Sequence, residues 1–187
     1  MSLSLTLDNL SRYTYNNWFV ETGTFTGGGI EIARLVGFKR IRSIEIYEPF
    51  YRSVRERYAK FPEIELYLGD AETSLWDMIK DIDENITFFL DSHVVEQTGN
   101  LKGIREIPLL QELDIIERHP INTHTILIDD RRMMGFDNSH PYGWVSPEWK
   151  GILENTVMEK IFSINSDYKI SYEDTVNGKK DIIVAQP

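Results

Sequence analysis

The chain has 187 residues, 41% of them hydrophobic, a size and composition suited to one globular core. Its formal net charge of -10 argues against nucleic acid as a substrate, because phosphate backbones repel an acidic surface; the absence of cysteine excludes a disulfide frame and thiolate chemistry. With neither a basic leader nor an apolar run long enough to span a bilayer, the expectation is a cytoplasmic protein that acts on a small molecule. A homo-oligomer is compatible with that.

Residues 1–17 are expected as an N-terminal extension, followed by a β/α series read from period, β-branched content and punctuation. Trp18 to Thr22 predicts the first strand and Gly28 to Val36 a helix stopped by Gly37. Ile41 to Ile46 predicts the second strand, and Pro49 to Lys60 a helix with proline in its first turn. Ile64 to Leu68 follows as a strand, Glu72 to Ile79 as a helix, and Ile86 to Leu90 as a nearly all-apolar strand, the pattern of a sheet covered on both faces. Leu109, Leu113 and Ile116 mark a helix over Ile104 to Arg118, before a fifth strand from Thr123 to Ile128.

A helix from Pro147 to Phe162 precedes two strands, Tyr168 to Tyr172 and Asp181 to Ala185. The Asn177-Gly178 pair between them signals a hairpin. Five β/α units and a terminal hairpin predict an α/β, Rossmann-like open twisted sheet, mostly parallel, with helices on both faces, in a single domain.

Open parallel sheets bind ligands beyond the carboxyl ends of their strands. After the first strand stands Glu21-Thr22-Gly23-Thr24-Phe25-Thr26-Gly27, a glycine turn entering a helix. A dinucleotide fingerprint needs glycine two residues after the first, where this chain has Phe25, and no Gly-Lys-Ser/Thr follows. Glu45 stands about twenty residues on, the separation at which a carboxylate meets a ribose diol, and Glu48 is close enough to be a competing assignment. A nucleoside without phosphates satisfies both observations.

Glu21-x-Gly23-x-x-x-Gly27, Glu45 and Gly69-Asp70-Ala71 together resemble the class I S-adenosylmethionine-dependent methyltransferases over nearly the whole chain. The resemblance implies a cofactor site of Glu21, Gly23, Thr24, Phe25, Gly27, Glu45, Asp70, Ala71 and Asp91. In it the turn would face the methionine part, Glu45 the ribose, Asp70 the adenine amino group, and Ala71 the adenine ring.

The fourth strand ends in Asp91-Ser92-His93 and the fifth in Asp129-Asp130. Three neighbouring carboxylates need protons or a cation, and Mg²⁺ offers both charge and oxygen coordination. The pattern is similar to the metal-dependent small-molecule O-methyltransferases of the catechol and macrolide-sugar types and the cephalosporin hydroxylase-like group. That likeness implies Asp91, Asp129 and Asp130 as metal ligands. Ser92 to Glu96 departs from the tyrosine or lysine pattern of several of those subfamilies, so the substrate does not carry over.

His93 and Asp91 are the candidate catalytic groups, with His93 able to accept a proton from an acceptor hydroxyl. The long stretch after the fifth strand is expected to cover the cleft. Met133, Phe136, Tyr142 and Trp144 are placed there to stack on an acceptor, and Arg131 or Arg132 to pair with an anion. The expected function is methyl transfer to a small hydroxylated molecule, a sugar or secondary metabolite, with Mg²⁺ assisting. The alternatives are a metal-independent methyltransferase, a noncatalytic nucleoside-binding domain and, disfavoured by Phe25, a nicotinamide oxidoreductase.

Overall fold

The computed structural model describes residues 4–99, 101–136 and 145–187. Its strands are β1 (Trp18–Thr22), β2 (Arg40–Glu45), β3 (Ile64–Leu68), β4 (Ile86–Leu90), β5 (Thr125–Ile128), β6 (Lys169–Glu173) and β7 (Ile182–Gln186). They form one seven-stranded sheet in the order β3-β2-β1-β4-β5-β7-β6. β1 to β5 are parallel, whereas β7 runs antiparallel to both β5 and β6. The order reverses between β1 and β4, which opens a crevice above the carboxyl ends of those two strands.

Among the described residues six α-helices flank the sheet: α1 (Leu7–Leu10), α2 (Gly28–Val36), α3 (Glu48–Arg57), α4 (Ala71–Ile79), α5 (Leu109–Glu117) and α6 (Glu154–Ile164). Side-chain alternation along the strands divides the core into two layers. Phe19, Phe89 and Leu127 point to one layer with Leu10, Ile30, Ala33 and Val54, contributed by α1, α2 and α3. Val20, Phe88 and Ile126 point to the other with Leu75, Leu113 and Ile161, from α4, α5 and α6. Each such fully buried side chain contributes about 1.5–3 kcal/mol. Helices on both faces explain why β4 is buried at every position and apolar at all but Thr87.

Two expected helices begin late. The one predicted from Ile104 starts at Leu109, because the amides of Ile104, Glu106 and Ile107 donate to the carboxylates of Asp70 and Glu148 instead of entering a helix. The one predicted from Pro147 divides into a 3-10 turn at Pro147–Gly151 and α6. There the carbonyls of Trp149 and Ile152 accept from Gly135 N at 3.0 and 2.8 Å, which takes them out of a helical ladder. The expected N-terminal extension packs on the body: Leu5, Leu10 and Tyr13 are buried in the first layer.

At the amino ends of β4 and β5 lies a buried histidine pair. His124 Nδ1 accepts the Ile86 amide at 3.1 Å, so its proton sits on Nε2, 3.0 Å from His119 Nδ1. His119 then carries its own proton on Nε2 and shares it between the carbonyls of Ile79 and Ile82, at 3.2 and 3.1 Å. Burial first, and then the neighbouring His119, push His124 down to about 3. No helix among the described residues is long and apolar enough to cross a membrane.

Candidate functional site

The glycine turn closes on itself. Gly23 N and Thr24 N both donate to Ile44 O at 3.0 Å, Gly27 N donates to Thr24 O at 2.8 Å, and Phe25 N donates to Glu45 Oε2 at 2.6 Å. A phosphate cradle requires free amides. Four amides of this turn are already committed to the chain, which disfavours a pyrophosphate here independently of the bulk of Phe25.

Gly23 has φ +84, and a Cβ there would overlap the carbonyl of Asp91. Glycine is therefore demanded by the close approach of two strand ends as well as by the backbone conformation. Phe25 adopts φ 49 and sets its ring edge-on to Phe50 at 4.8 Å, while Phe50 meets Tyr47 at 5.0 Å, forming an aromatic wall beside the turn.

Glu21 lies under the turn, outside the cleft lining, at 2% exposure. Its Oε2 accepts Ser43 Oγ at 2.6 Å, and Ser43 Oγ lies 2.5 Å from Thr24 Oγ1. Burial pushes the Glu21 carboxyl up to about 8 against the Ser43 hydrogen bond, with Asp91 and Glu45 adding to the rise. Thr24 and Gly27 likewise stand outside the lining. The structure thus separates Glu21, Thr24 and Gly27, which shape the turn, from Gly23 and Phe25, which face the cleft.

That cleft measures about 500 Å³ and runs along the carboxyl ends of β3, β2, β1, β4 and β5. Glu45, Asp70, Ala71, Asp91, His93, Asp129 and Asp130 all line it, so most residues named from the sequence meet in one place. Glu45 accepts Tyr47 N at 2.8 Å besides Phe25 N, and each oxygen keeps a second lone pair for a ligand. Burial raises its carboxyl above the usual range, opposed by those backbone bonds. Asp70 caps α4 by accepting Glu72 N at 3.0 Å and also takes Ile104 N at 2.7 Å. Its carboxylate therefore pins the segment Leu101 to Ile107 across one end of the cleft, a role the sequence does not announce.

At the other end the acids form two overlapping groups: Asp91, His93 and Asp130, and Asp129, Asp130 and Asp181. His93 Nδ1 lies 3.4 Å from both Asp91 Oδ1 and Asp130 Oδ2. Burial opposes charge on His93, but Asp130, Asp91 and Asp129 outweigh it and hold the imidazolium up to about 9. Asp91 is raised by burial and by Asp130, against the pull of His93. Asp129, at 3% exposure, is raised well above the usual carboxylate range by burial and then by Asp91 and Asp130. Its Oδ1 is buried without a hydrogen-bond partner.

Asp181 and the pairing of Arg132 are not legible in the sequence. Arg132 Nη1 lies 2.7 Å from Asp130 Oδ1 and also pairs with Asp181, which the Thr175 hydroxyl holds at 2.6 Å. No local signal relates positions so far apart. The anion-pairing role expected of Arg131 and Arg132 is filled by the chain's own carboxylates, since Arg131 pairs with Glu154 at 2.9 Å and covers Tyr172. Met133 and Phe136, expected to stack on an acceptor, pack against the core instead, because the 3-10 turn at Arg131–Met133 directs them inward. Tyr142 and Trp144 lie outside the described residues.

No protein-family model matches the chain, and no curated protein matches it in sequence. Solved structures do match in fold. SMU.1697c of Streptococcus mutans, solved with S-adenosylhomocysteine, superimposes with TM-score 0.61 at 13% identity, covering 100% of this chain and 98% of that one. A Clostridium thermocellum protein described provisionally as an rRNA methylase gives TM-score 0.64 at 14% identity, covering 98% and 95%. The O-methyltransferase TomG of Streptomyces achromogenes, solved with S-adenosylmethionine, gives TM-score 0.57 at 15% identity, covering 96% and 77%. At such identities the likeness establishes the fold: a seven-stranded, Rossmann-like sheet shared with proteins that hold the sulfonium nucleoside or its product.

Proposed function

We propose that this chain binds S-adenosylmethionine in the cleft above β1 and β4 and transfers its methyl group to a small hydroxylated molecule, with Mg²⁺ assisting. The observation that carries the reading is the turn whose amides are satisfied internally beside a carboxylate, Glu45, with lone pairs to spare. Such a site suits a nucleoside without phosphates. Two fold neighbours described above were solved with that nucleoside or its demethylated product. An RNA acceptor is disfavoured by the net charge of -10 and by the acids at the acceptor end.

In this reading Gly23 and Phe25 face the methionine part, Glu45 accepts from the ribose hydroxyls, and Ala71 lies by the base. Asp70 would exchange Ile104 N for the adenine amino group. When bound, the cofactor would supply an electrophilic methyl on a sulfonium, which an acceptor oxygen would take in line as the C–S bond breaks and the neutral thioether, S-adenosylhomocysteine, leaves. His93 and Asp91 stand where the acceptor proton leaves. Since His93 is held as imidazolium by its acidic neighbours, it accepts that proton only after giving up its own.

The acid group fits a hard cation in one respect: Asp129 Oδ1 is buried with no hydrogen-bond partner. Of the three expected ligands, Asp130 belongs to both groups, Asp91 to one and Asp129 to the other, so Asp130 would hold the ion with Asp91 or with Asp129, and the ion would lower the pKa of an acceptor hydroxyl. The second reading, metal-independent transfer, is favoured by Arg132 and His93, two cations of the chain already among these acids.

Calorimetric titration with S-adenosylhomocysteine, NAD and NADP tests the cofactor; binding of a nicotinamide dinucleotide alone would overturn the reading. For the metal, Mg²⁺ should bind the wild type, bind Asp129→Asn more weakly, and restore turnover after chelation. Full turnover in chelator would leave the metal-independent route.

A further inference from the structure

A buried carboxyl sits beneath the switch point and has no part in the chemistry above. Glu112 is 1% exposed on α5, on the same helical face as the buried Leu109, Leu113 and Ile116. Ser92 Oγ donates to its Oε1 at 2.6 Å. The other groups acting on the carboxyl are the Thr22 hydroxyl and, at longer range, the acids Asp91 and Asp70; none of these is a cation. Thr22 ends β1 and takes the Asp91 amide on its carbonyl at 3.1 Å. Glu112 therefore joins the last residue of β1 to the first residues after β4.

Packing alone does not call for an acid here. Burial pushes Glu112 up to about 7, against the relief given by the two hydroxyls. Leucine would continue the apolar stripe, and glutamine would keep the hydrogen bond, each without a buried charge. A costly titratable group at the strand ends of an open sheet is the mark of a functional position rather than a stabilising one.

Ser92 lines the cleft. With its proton given to Glu112, its oxygen can act only as an acceptor toward a ligand. We infer that Glu112 is a positioning residue that fixes the Ser92 hydroxyl as a hydrogen-bond acceptor for an ammonium or hydroxyl group of the bound ligand. The inference rests on the S-adenosylmethionine reading: the turn at Gly23, which abuts Asp91, faces the methionine part, and the α-ammonium of that part is the donor Ser92 would receive.

The test is titration of S-adenosylhomocysteine into the wild type, Ser92→Ala, Glu112→Leu, Glu112→Gln and the Ser92→Ala/Glu112→Leu double variant, each with a thermal melt. Ser92→Ala and Glu112→Leu should each weaken binding about tenfold, the size of one hydrogen bond to a charged group. The double variant should be no worse than either, because the two residues act as one unit. Glu112→Gln should recover to within about threefold of the wild type, since an amide oxygen still accepts from Ser92. Glu112→Leu should melt no lower than the wild type. Wild-type affinity in Glu112→Leu, additive losses, or a lowered melt without rescue by glutamine would each overturn the assignment. A wild type that binds no S-adenosylhomocysteine would remove the cofactor reading and this inference with it.

Discussion

At the amino ends of β4 and β5, His119 and His124 are buried, and each ring nitrogen has a partner. At the carboxyl ends of the same strands, Asp91, Asp129, Asp130 and nearby Asp181 share two cations, His93 and Arg132, and Asp129 Oδ1 has no hydrogen-bond partner. One end thus satisfies its buried polar groups at home. The other leaves charge and lone pairs uncompensated, which costs stability and is expected where a ligand completes the site. The two ends should respond to perturbation in different currencies, one in stability and the other in binding.

The largest effect joins both currencies. Gly23→Val puts a Cβ into the Asp91 carbonyl at a positive φ, so it should cost about 3 kcal/mol or more by urea denaturation and abolish S-adenosylhomocysteine binding. A stable variant with normal affinity would remove the turn from the site.

At the histidine end the signature is acid sensitivity. His124 titrates near 3 when folded and near 6.5 when unfolded, so the unfolded state takes up the proton first. Its contribution is intact above pH 6.5 and is lost as pH falls toward 3, on the order of 3 kcal/mol by pH 4. Urea denaturation of the wild type and His124→Gln at pH 7 and pH 4 should show the wild type losing more. Equal losses would dissolve the contrast between the ends.

At the cleft, Glu45→Ala should weaken S-adenosylhomocysteine binding by roughly 1–3 kcal/mol, since two ribose hydroxyls lose a charged acceptor. Because Glu45 also accepts from Phe25 N and Tyr47 N, part of that loss should appear as faster amide exchange in the turn. Unchanged calorimetric affinity in a folded variant would reject the ribose role.

Beneath the turn, the effect has the opposite pH sign from His124. The Glu21 carboxyl titrates near 8 when folded, above its ordinary 4.5, so its contribution is full below pH 4.5 and is lost as pH rises through 8. By the same linkage as for His124, Glu21→Gln should therefore gain on the order of 4 kcal/mol on the wild type at pH 8 and little at pH 4.5. A variant less stable at pH 8 would mean that the carboxylate is needed under the turn.

Local pattern was enough for β1, β3 and β4, whose expected and observed limits coincide at Trp18–Thr22, Ile64–Leu68 and Ile86–Leu90. Short apolar runs bounded by turn residues have one low-cost solution in a covered sheet. The start of α5 was not legible, because Ile104 to Ile107 read as helix until Asp70 and Glu148 take their amides. Glu112 does leave a signal, an acid on the stripe of Leu109, Leu113 and Ile116, which hydrophobic periodicity alone does not register.

By itself, then, the sequence determined the alternation of strands and helices, the hairpin at the end, and which polar residues follow which strands, since these depend on neighbours three or four positions away. Only the tertiary structure decided that Glu21 lies beneath the turn while Glu45 faces the cleft. It alone joined Arg132 to Asp181, Asp70 to Ile104 and Ser92 to Glu112. Those pairings follow from strand order and from the burial of each carboxyl, and no spacing along the chain encodes either.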